Sequence, residues 1–173
     1  MEFIGNYKEL IKDEWLTFLY ENDGQLLPDD RECLEPDYNE QNQMIKSSWG
    51  GISSPSWYKF EIKDLPFKIE WPVPLSKNPI VDWWIIKQKP GQVVPMHIDD
   101  DPDRVTRRYT MFLQDYIPGH LTLWGDTFLK DYKVGDLYKA KDSIALHGSA
   151  NVSTKIRLVA FITIWDYPTI ETS

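Results

Sequence analysis

The sequence of 173 residues is poor in the residue types on which many common sites depend. It contains one cysteine, Cys33, so an internal disulfide and a cysteine-based zinc finger are both excluded. It contains only three histidines, His97, His120 and His147. Any chemistry that requires imidazole therefore has to be built from these three side chains.

Long hydrophobic runs are also absent. The longest strongly apolar stretch, residues 158–165, has eight residues, whereas a membrane-spanning helix needs about 20. The first residues show no basic segment followed by an apolar one, which is the pattern of a secretory signal. We therefore expect a cytoplasmic protein with no membrane partner.

Positive charge is scarce, with 19 Lys and Arg against 27 Asp and Glu, and the formal net charge is −8. Such a field repels nucleic-acid backbones, so we expect no nucleic-acid partner and a neutral or basic substrate. Aromatic residues, in contrast, are abundant, at 14% of the chain with 8 Trp and 9 Tyr. This composition is typical of a folded globular protein. Nothing in the sequence indicates an oligomeric state.

The first part of the chain, residues 1–79, predicts one helix followed by an irregular flank. Apolar residues spaced three and four apart predict a helix over residues 3–21. Residues 25–78 lose this periodicity and are rich in proline, so we expect no long regular element there apart from a short helix over residues 38–46. The aromatic residues of this flank indicate that it packs against the core.

The second part, residues 80–168, predicts a series of short strands separated by turns. The predicted strands cover residues 81–87, 93–97, 107–114, 120–124, 132–139, 143–147 and 155–165. Glycine-containing turn signals lie between most of them, and no helical pattern intervenes. We therefore predict a single domain over residues 1–173, mainly β, with an antiparallel sandwich or barrel as its core. Trp83 and Trp84 are adjacent and face opposite sides of their strand, so one is predicted in the core and the other beside the site or under the first half.

Two histidines fall at the ends of predicted strands. His97 and Asp99 are two residues apart, so an imidazole and a carboxylate on the same face of the strand could bind one metal ion. His147, at the end of the predicted strand 143–147, supplies a second imidazole. Two histidines and one carboxylate form the facial triad of non-haem Fe(II) oxygenases, which leaves positions open for a co-substrate and for O2.

Arg157 lies ten residues after His147, inside a very apolar run. A buried guanidinium is costly unless it meets an anion. The carboxylate of a bound small molecule, held by two hydrogen bonds, would satisfy it, and so would a salt bridge to an internal acid. His120 has no acidic or histidine partner at ligand spacing, which leaves it as an ordinary polar residue or a substrate contact.

This pattern resembles the 2-oxoglutarate- and Fe(II)-dependent dioxygenases. The resemblance covers residues 80–168 and is nearest to the aspartyl/asparaginyl β-hydroxylase-like and small prolyl-hydroxylase-like members. The residues that carry it are Pro90, Gly91, His97, Asp99, Val134, Gly135, Asp136, His147 and Arg157.

The resemblance implies a double-stranded β-helix (a jelly-roll, cupin-like core) with Fe(II) at one mouth. It implies that His97, Asp99 and His147 are the catalytic iron ligands. It also implies that Arg157 holds the distal carboxylate of 2-oxoglutarate and that Arg108 is a second arginine for this co-substrate.

The sequence departs from the family pattern in two places. Many members carry a serine two residues after the arginine, where this chain has Val159. Tyr109, Thr110 or Trp124 is therefore expected to complete the carboxylate pocket. The aspartyl/asparaginyl branch often lacks the acidic ligand that Asp99 would provide, so the chain fits the broad superfamily better than that branch.

We therefore expect an oxygenase that converts 2-oxoglutarate and O2 to succinate and CO2 while it hydroxylates a C–H bond of a peptide side chain or small molecule. One alternative is a cupin-type metal enzyme that does not use 2-oxoglutarate, since the spacings over residues 91–99 and 147–151 also fit cupins. A second alternative is a non-enzymatic jelly-roll binding module with incidental histidines. The fold does not choose the substrate.

Overall fold

The computed structural model describes residues 1–28, 56–68, 80–98, 105–142 and 145–166. These residues contain one α-helix, α1 (Asp13–Glu21), and two short 3-10 helices, Lys8–Leu10 and Ile62–Asp64. They also contain strands β1 (Glu2–Asn6), β2 (Gln25–Pro28), β3 (Ser56–Glu61), β4 (Ile80–Gln88), β5 (Val93–His97), β6 (Val105–Phe112), β7 (His120–Trp124), β8 (Thr127–Phe128), β9 (Asp136–Lys139), β10 (His147–Asn151) and β11 (Arg157–Asp166).

The strands form two antiparallel sheets. The larger sheet has the order β1-β9-β6-β11-β4-β3-β2, and the smaller one has the order β5-β10-β7-β8. From β4 onwards the chain passes repeatedly from one sheet to the other, so strands far apart in sequence, such as β4 and β11, become neighbours. This strand order is that of a double-stranded β-helix, and the predicted fold class is confirmed.

Strand β11 lies in the middle of the larger sheet and is buried on both faces. On one face, Val159 packs with Phe112 and Tyr132. On the other face, Ala160 and Ile162 belong to the main core cluster, which includes residues of α1 and β3. Each such fully buried aliphatic side chain contributes about 1.5–3 kcal/mol to folding. The N-terminal elements therefore cover the outer face of the larger sheet.

The helix predicted over residues 3–21 is correct only in its second half. Residues Glu2–Asn6 form β1, which pairs antiparallel with β9, and the helix starts at Asp13. The backbone groups of β1 satisfy the edge of the larger sheet, and the Tyr7 N–H continues this pairing by donating to the Gly135 carbonyl at 2.8 Å. Tertiary pairing thus overrides a local pattern that also fits a helix.

The predicted irregular flank is wrong at two places. β2 and β3 pair with each other, and β3 pairs with β4, so they extend the larger sheet beyond the barrel strands. Pro28 lies at the end of the outermost strand, where a missing N–H disrupts no further ladder. The predicted helix over residues 38–46 falls outside the described residues, as does Cys33.

Most strands predicted over the second part are confirmed, β5 with the same bounds. β9 is shorter than predicted, and the two-residue β8 was missed. The prediction that His147 ends a strand is wrong, because it is the first residue of β10 and pairs with Trp124 of β7. Residues 143 and 144 of that predicted strand lie outside the described residues.

In the described part of the chain, no helix combines the length and the apolar character needed to cross a membrane.

Candidate functional site

His97 and His147 face each other across the pair of strands β5 and β10. They are direct partners in the antiparallel register, and their ring centroids are 4.3 Å apart. Both rings line the same pocket. The structure therefore brings together two of the three residues predicted to bind iron.

A β-bulge in β5 turns His97 towards the pocket. Two residue steps along β10, from His147 to Ser149, correspond to three steps along β5, from His97 to Val94. The extra residue lets Val94 and His97 line the same pocket although they are three positions apart. A Cβ on Gly148 would lie 2.8 Å from the Met96 sulfur and 3.0 Å from the Val94 carbonyl oxygen, so a larger residue fits beside this bulge only if Met96 and the β5 backbone shift.

Hydrogen bonds to the backbone set the same tautomer on both histidines. His97 Nδ1 lies 2.7 Å from the Pro95 carbonyl oxygen, and His147 Nδ1 lies 2.9 Å from the Ala145 carbonyl oxygen. Because a carbonyl only accepts, each Nδ1 carries the proton and each Nε2 carries the lone pair. Metal-binding histidines typically use this arrangement, in which the outer bond fixes the ring and the other nitrogen binds the ion.

Asp99, the third predicted ligand, lies outside the described residues. Within the described ranges, no group of three His, Cys, Asp or Glu side chains could hold a metal ion. The two histidines fit a metal by donor type and tautomer, and the assignment of Asp99 stays a prediction.

The pocket around the histidines has a volume of about 630 Å³, its open mouth included. The polar lining residues come from both sheets: His97, His147, Thr122 and Ser149 lie in the smaller sheet, and Arg108 and Thr163 lie in the larger one. The apolar lining residues are mainly Trp57, Trp84, Ile86 and Phe161 of the larger sheet and Val94 of the smaller one.

Trp124, one of the residues expected near the co-substrate, holds the ring of His147. The two rings are stacked, with centroids 4.0 Å apart and an angle of 14° between their planes. The Trp124 indole N–H donates to the Asp142 carbonyl at 2.8 Å, which fixes the indole in turn. Trp124 therefore lines the pocket as the support of a predicted ligand.

The two arginines expected to bind 2-oxoglutarate lie at different depths. Arg108 lines the pocket directly and is mostly buried, and burial lowers the pKa of its guanidinium. Arg157 is fully buried and does not line the pocket. The side chain of Thr122 links the two regions, since it lines the pocket and accepts a hydrogen bond from Arg157 Nη2.

Arg157 makes its contacts with neutral groups. Its Nη1 donates to Gln88 Oε1 at 2.6 Å, and its buried Nε has no hydrogen-bond partner among the described residues. Among the described residues, no carboxylate forms a salt bridge with Arg157. Burial lowers the pKa of Arg157 and the nearby Tyr132 hydroxyl opposes this decrease, but an arginine guanidinium stays charged in proteins. The interior therefore holds a cation that no described acid neutralises.

Tyr109 and Thr110, the other residues expected at the carboxylate pocket, lie on opposite faces of β6. Tyr109 packs in the core cluster under α1 and is not among the residues that line the pocket. Thr110 is buried, does not line the pocket, and has a hydroxyl without a hydrogen-bond partner in the described structure.

Sequence reasoning missed Gln88, Thr122 and Ser149, which form a buried polar layer around Arg157. Ser149 Oγ donates to Gln88 Oε1 at 3.3 Å, and the same oxygen accepts from Arg157. Strand alternation is the signal that could have found Ser149, because it lies two residues after His147 and so shares its face of β10.

His120 lies deep in the protein, away from the pocket. It is fully buried, and burial together with the positive charge of Arg157 lowers the pKa of His120 from 6.5 to about 4. Its Nε2 faces the Lys155 carbonyl oxygen at 3.4 Å. His120 is therefore a neutral interior residue at physiological pH, and a substrate contact is not supported because it does not line the pocket.

No protein-family model matches this chain, and no curated protein matches it. Similar solved structures include a predicted oxalate decarboxylase from Thermotoga maritima, at 15% identity over 64% of this chain and 82% of the other, with a TM-score of 0.43. They also include the cupin domain of Cnp3 from Schizosaccharomyces pombe, at 10% identity over 68% and 82% with a TM-score of 0.40. A truncated viral collagen prolyl hydroxylase from Paramecium Bursaria Chlorella virus-1 matches at 19% identity over 53% and 59%, with a TM-score of 0.43. The strand order, rather than these similarities, carries the fold assignment.

Proposed function

We propose that the protein is a 2-oxoglutarate- and Fe(II)-dependent oxygenase that hydroxylates a C–H bond of a small molecule or peptide side chain. The observation that carries the proposal is the pair His97 and His147, which face each other in a pocket with the same tautomer. An arginine that no described carboxylate neutralises lies behind the pocket wall.

In this proposal His97, His147 and Asp99 hold Fe(II). The bound iron supplies the activation of O2 that C–H oxidation needs. The protein fixes both imidazoles through their Nδ1–H bonds to the backbone, and Trp124 packs on the ring of His147. The ligands are thus oriented before the metal binds, which reduces the entropic cost of assembling the centre.

Arg157 and Arg108 provide the positive charge for the carboxylate of 2-oxoglutarate. A carboxylate held by a guanidinium forms charge-assisted hydrogen bonds. These bonds fix the orientation of the co-substrate and increase its affinity. Thr122, which contacts Arg157 and lines the pocket, supplies a hydroxyl at the point where this carboxylate would enter. The apolar wall of the pocket limits the access of water to the reacting groups.

One observation favours a cupin-type metal enzyme that does not use 2-oxoglutarate. The guanidinium of Arg157 already donates to Gln88 and Thr122, and it does not line the pocket. In that case Arg157 is a structural residue of the interior, and the histidine pair serves a different substrate.

The two functions are separated by the binding of N-oxalylglycine, a stable analogue of 2-oxoglutarate, to protein loaded with Mn(II) in place of Fe(II). We expect N-oxalylglycine to bind only when the metal is present. We expect N-methyloxamate, which lacks the distal carboxylate, to bind at least about tenfold more weakly, because a hydrogen bond to a charged group contributes about 1.5–3 kcal/mol.

Two variants test which residues hold each end of N-oxalylglycine. His147→Ala is expected to abolish metal-dependent binding, whereas Arg157→Gln is expected to retain Mn(II) and to remove the advantage of N-oxalylglycine over N-methyloxamate. Equal affinity of the wild type for both compounds would favour the cupin enzyme. The absence of any stoichiometric metal would contradict both metal-dependent functions.

A further inference from the structure

Large apolar side chains from both sheets form part of the pocket lining. Trp57, Ile86 and Val94 form a buried cluster, and Trp84 and Phe161 pack against it. All five side chains belong to residues that line the pocket. We call this set the aromatic wall.

The first half of the chain supplies part of the aromatic wall. Trp57 lies on β3, which pairs with β4 and precedes the part of the chain that passes repeatedly between the two sheets. Trp84 and Ile86 lie on β4 and share one face of it. The added strand thus widens the apolar surface beside the histidines.

The charges around the aromatic wall do not favour a charged ligand. Of the described residues that line the pocket, Arg108 alone carries a permanent charge, and none is a carboxylate. Lys59 Nζ lies 4.8 Å from the ring centroid of Trp84, and Glu61 pairs with this lysine at 2.6 Å. The cation next to Trp84 is therefore one of the protein's own, and it already has a counterion.

Burial of a ligand charge without a partner costs several kcal/mol. A ligand ammonium or guanidinium placed against the aromatic wall would find Lys59 and Arg108 nearby and no described carboxylate in the lining. A ligand carboxylate out of reach of Arg108 would lose its hydration against tryptophan and aliphatic surface. An apolar group, in contrast, gains about 25 cal/mol for each Å² that it removes from water.

We propose that the part of the substrate held beside the histidines is uncharged and apolar, an aromatic ring or a hydrocarbon side chain, and that Trp57 and Trp84 select it. One part of this proposal rests on the proposed function, namely that the bound apolar group is the group that is oxidised. The binding preference itself does not depend on whether 2-oxoglutarate is used.

The test is a comparison of three probes that share a phenyl group and differ in charge: phenylacetamide, phenylacetate and phenethylamine. Binding to the full chain is measured by ligand-observed NMR titration in the presence of Mn(II) and saturating N-oxalylglycine. These occupy the positions proposed for the iron and for the carboxylates of the co-substrate, and no turnover is required. We expect phenylacetamide to bind best, in about the millimolar range for so small a ligand. Both charged probes should bind at least about tenfold more weakly because their charge is desolvated.

The neighbouring tryptophans of β4 provide a matched pair of variants. Trp84 lines the pocket, whereas Trp83 packs against the core cluster on the other face of the strand. Trp84→Leu is expected to weaken phenylacetamide binding about three- to tenfold, as the loss of an aromatic contact predicts, and Trp83→Leu to leave it unchanged. Trp57→Leu provides a second change of the wall if Trp84→Leu does not fold.

Equal or tighter binding of a charged probe by the wild-type protein would overturn the proposal, and so would the absence of binding by all three probes. The proposal would also be overturned if Trp83→Leu weakened the binding of phenylacetamide as much as Trp84→Leu does. Because the binding of N-oxalylglycine is followed in the same titration, a failure of the proposed function is detected separately from a change in the ranking of the probes.

Discussion

The three histidines differ in what surrounds their ring nitrogens. His97 and His147 direct Nδ1–H to backbone carbonyls and line a pocket. His120 is enclosed beside the cationic Arg157, which lowers its pKa in addition to the effect of burial. The same residue type is therefore used twice as a candidate metal ligand and once as a neutral interior group.

His120 makes stability depend on pH. Its pKa is about 4 in the folded protein and about 6.5 in the unfolded chain, so the unfolded state takes up the proton first as pH falls. Above pH 6.5 the residue has no effect on the pH dependence. Between pH 6.5 and pH 4 it should lower the free energy of unfolding by on the order of 3 kcal/mol.

Denaturant unfolding of the wild type and of His120→Asn at pH 7 and at pH 4.5 measures this effect. The difference in the free energy of unfolding between the two pH values should be smaller in the variant, since asparagine does not titrate. An identical pH dependence in both proteins would show that His120 is not the titrating group.

At the residue scale, the sequence singled out His97, His147 and Arg157 as candidates, because each stands at a strand boundary or in an apolar run where its side chain needs a partner. Their roles in binding stay predictions. It was not enough to find Gln88 and Thr122, which contact Arg157 from strands 69 and 35 residues away. Such contacts depend on the pairing of remote strands, which local patterns do not specify. The role of Asp99 stays a prediction.

At the scale of elements, the bulge in β5 is the feature that directs His97 into the pocket. The bulge requires β10 to approach β5 closely, and this is possible because Gly148 has no side chain. The position of a predicted metal ligand thus depends on a glycine that has no chemistry of its own.

Gly148→Ala tests this dependence, with Gly125→Ala as the control. The added methyl at residue 148 collides with Met96 and Val94, and we expect a loss of about 1–3 kcal/mol of stability with at least about tenfold weaker Mn(II) binding. At Gly125, with φ of 58°, the nearest atom to a new Cβ is 3.7 Å away. That change should cost about 1 kcal/mol of strain and leave Mn(II) binding unchanged. Similar metal affinity in both variants would contradict the role of the bulge.

Helix α1 is held on the outer face of the larger sheet by Lys87 of β4. The Lys87 ammonium donates to the Tyr20 carbonyl at 3.1 Å and to the Asn22 carbonyl at 2.6 Å, and it pairs with Asp23. A cation at the C-terminal end of a helix also interacts favourably with the helix dipole. The two lysines that pair with Asp23 lower the pKa of its carboxyl group.

Lys87→Met and Lys89→Met form a matched pair, because both lysines contact Asp23. The Lys87 side chain is 2% exposed and the Lys89 side chain is 41% exposed. Removal of the buried lysine leaves the Tyr20 and Asn22 carbonyls without this donor and should lower the free energy of unfolding by about 1.5–3 kcal/mol. Removal of the exposed one should cost about 1 kcal/mol or less. Equal losses, measured by denaturant unfolding, would exclude Lys87 as the main anchor of α1.

The accuracy of the element predictions followed the number of buried residues in each strand: β5 and β1 both have five residues, but three residues of β5 are buried and none of β1. β4, β5 and β11 have clear apolar patterns and were predicted close to their observed bounds. β1 and β2 are the edges of the larger sheet, and their pairing partners lie far away in sequence. Edge strands such as these carry few buried residues, so their sequences do not show the pattern of a core strand.

At the scale of the whole molecule, the double-stranded β-helix places the groups of the site at two depths between the sheets. His97 and His147 lie at the pocket, and Arg157 lies behind Thr122, where solvent does not reach it. The N-terminal elements cover the outer face of the larger sheet and add Trp57 to the pocket. A net charge of −8 is compatible with the uncharged group that the aromatic wall is proposed to bind.

The most direct measurement of the central claim is the oxygen-dependent formation of succinate from 2-oxoglutarate by the purified protein with Fe(II). The wild type is predicted to form succinate, and His97→Ala and Arg157→Gln are predicted to fall to the level of the metal-free control. Full succinate formation by both variants, or none by a wild-type protein that binds the metal, would contradict the assignment.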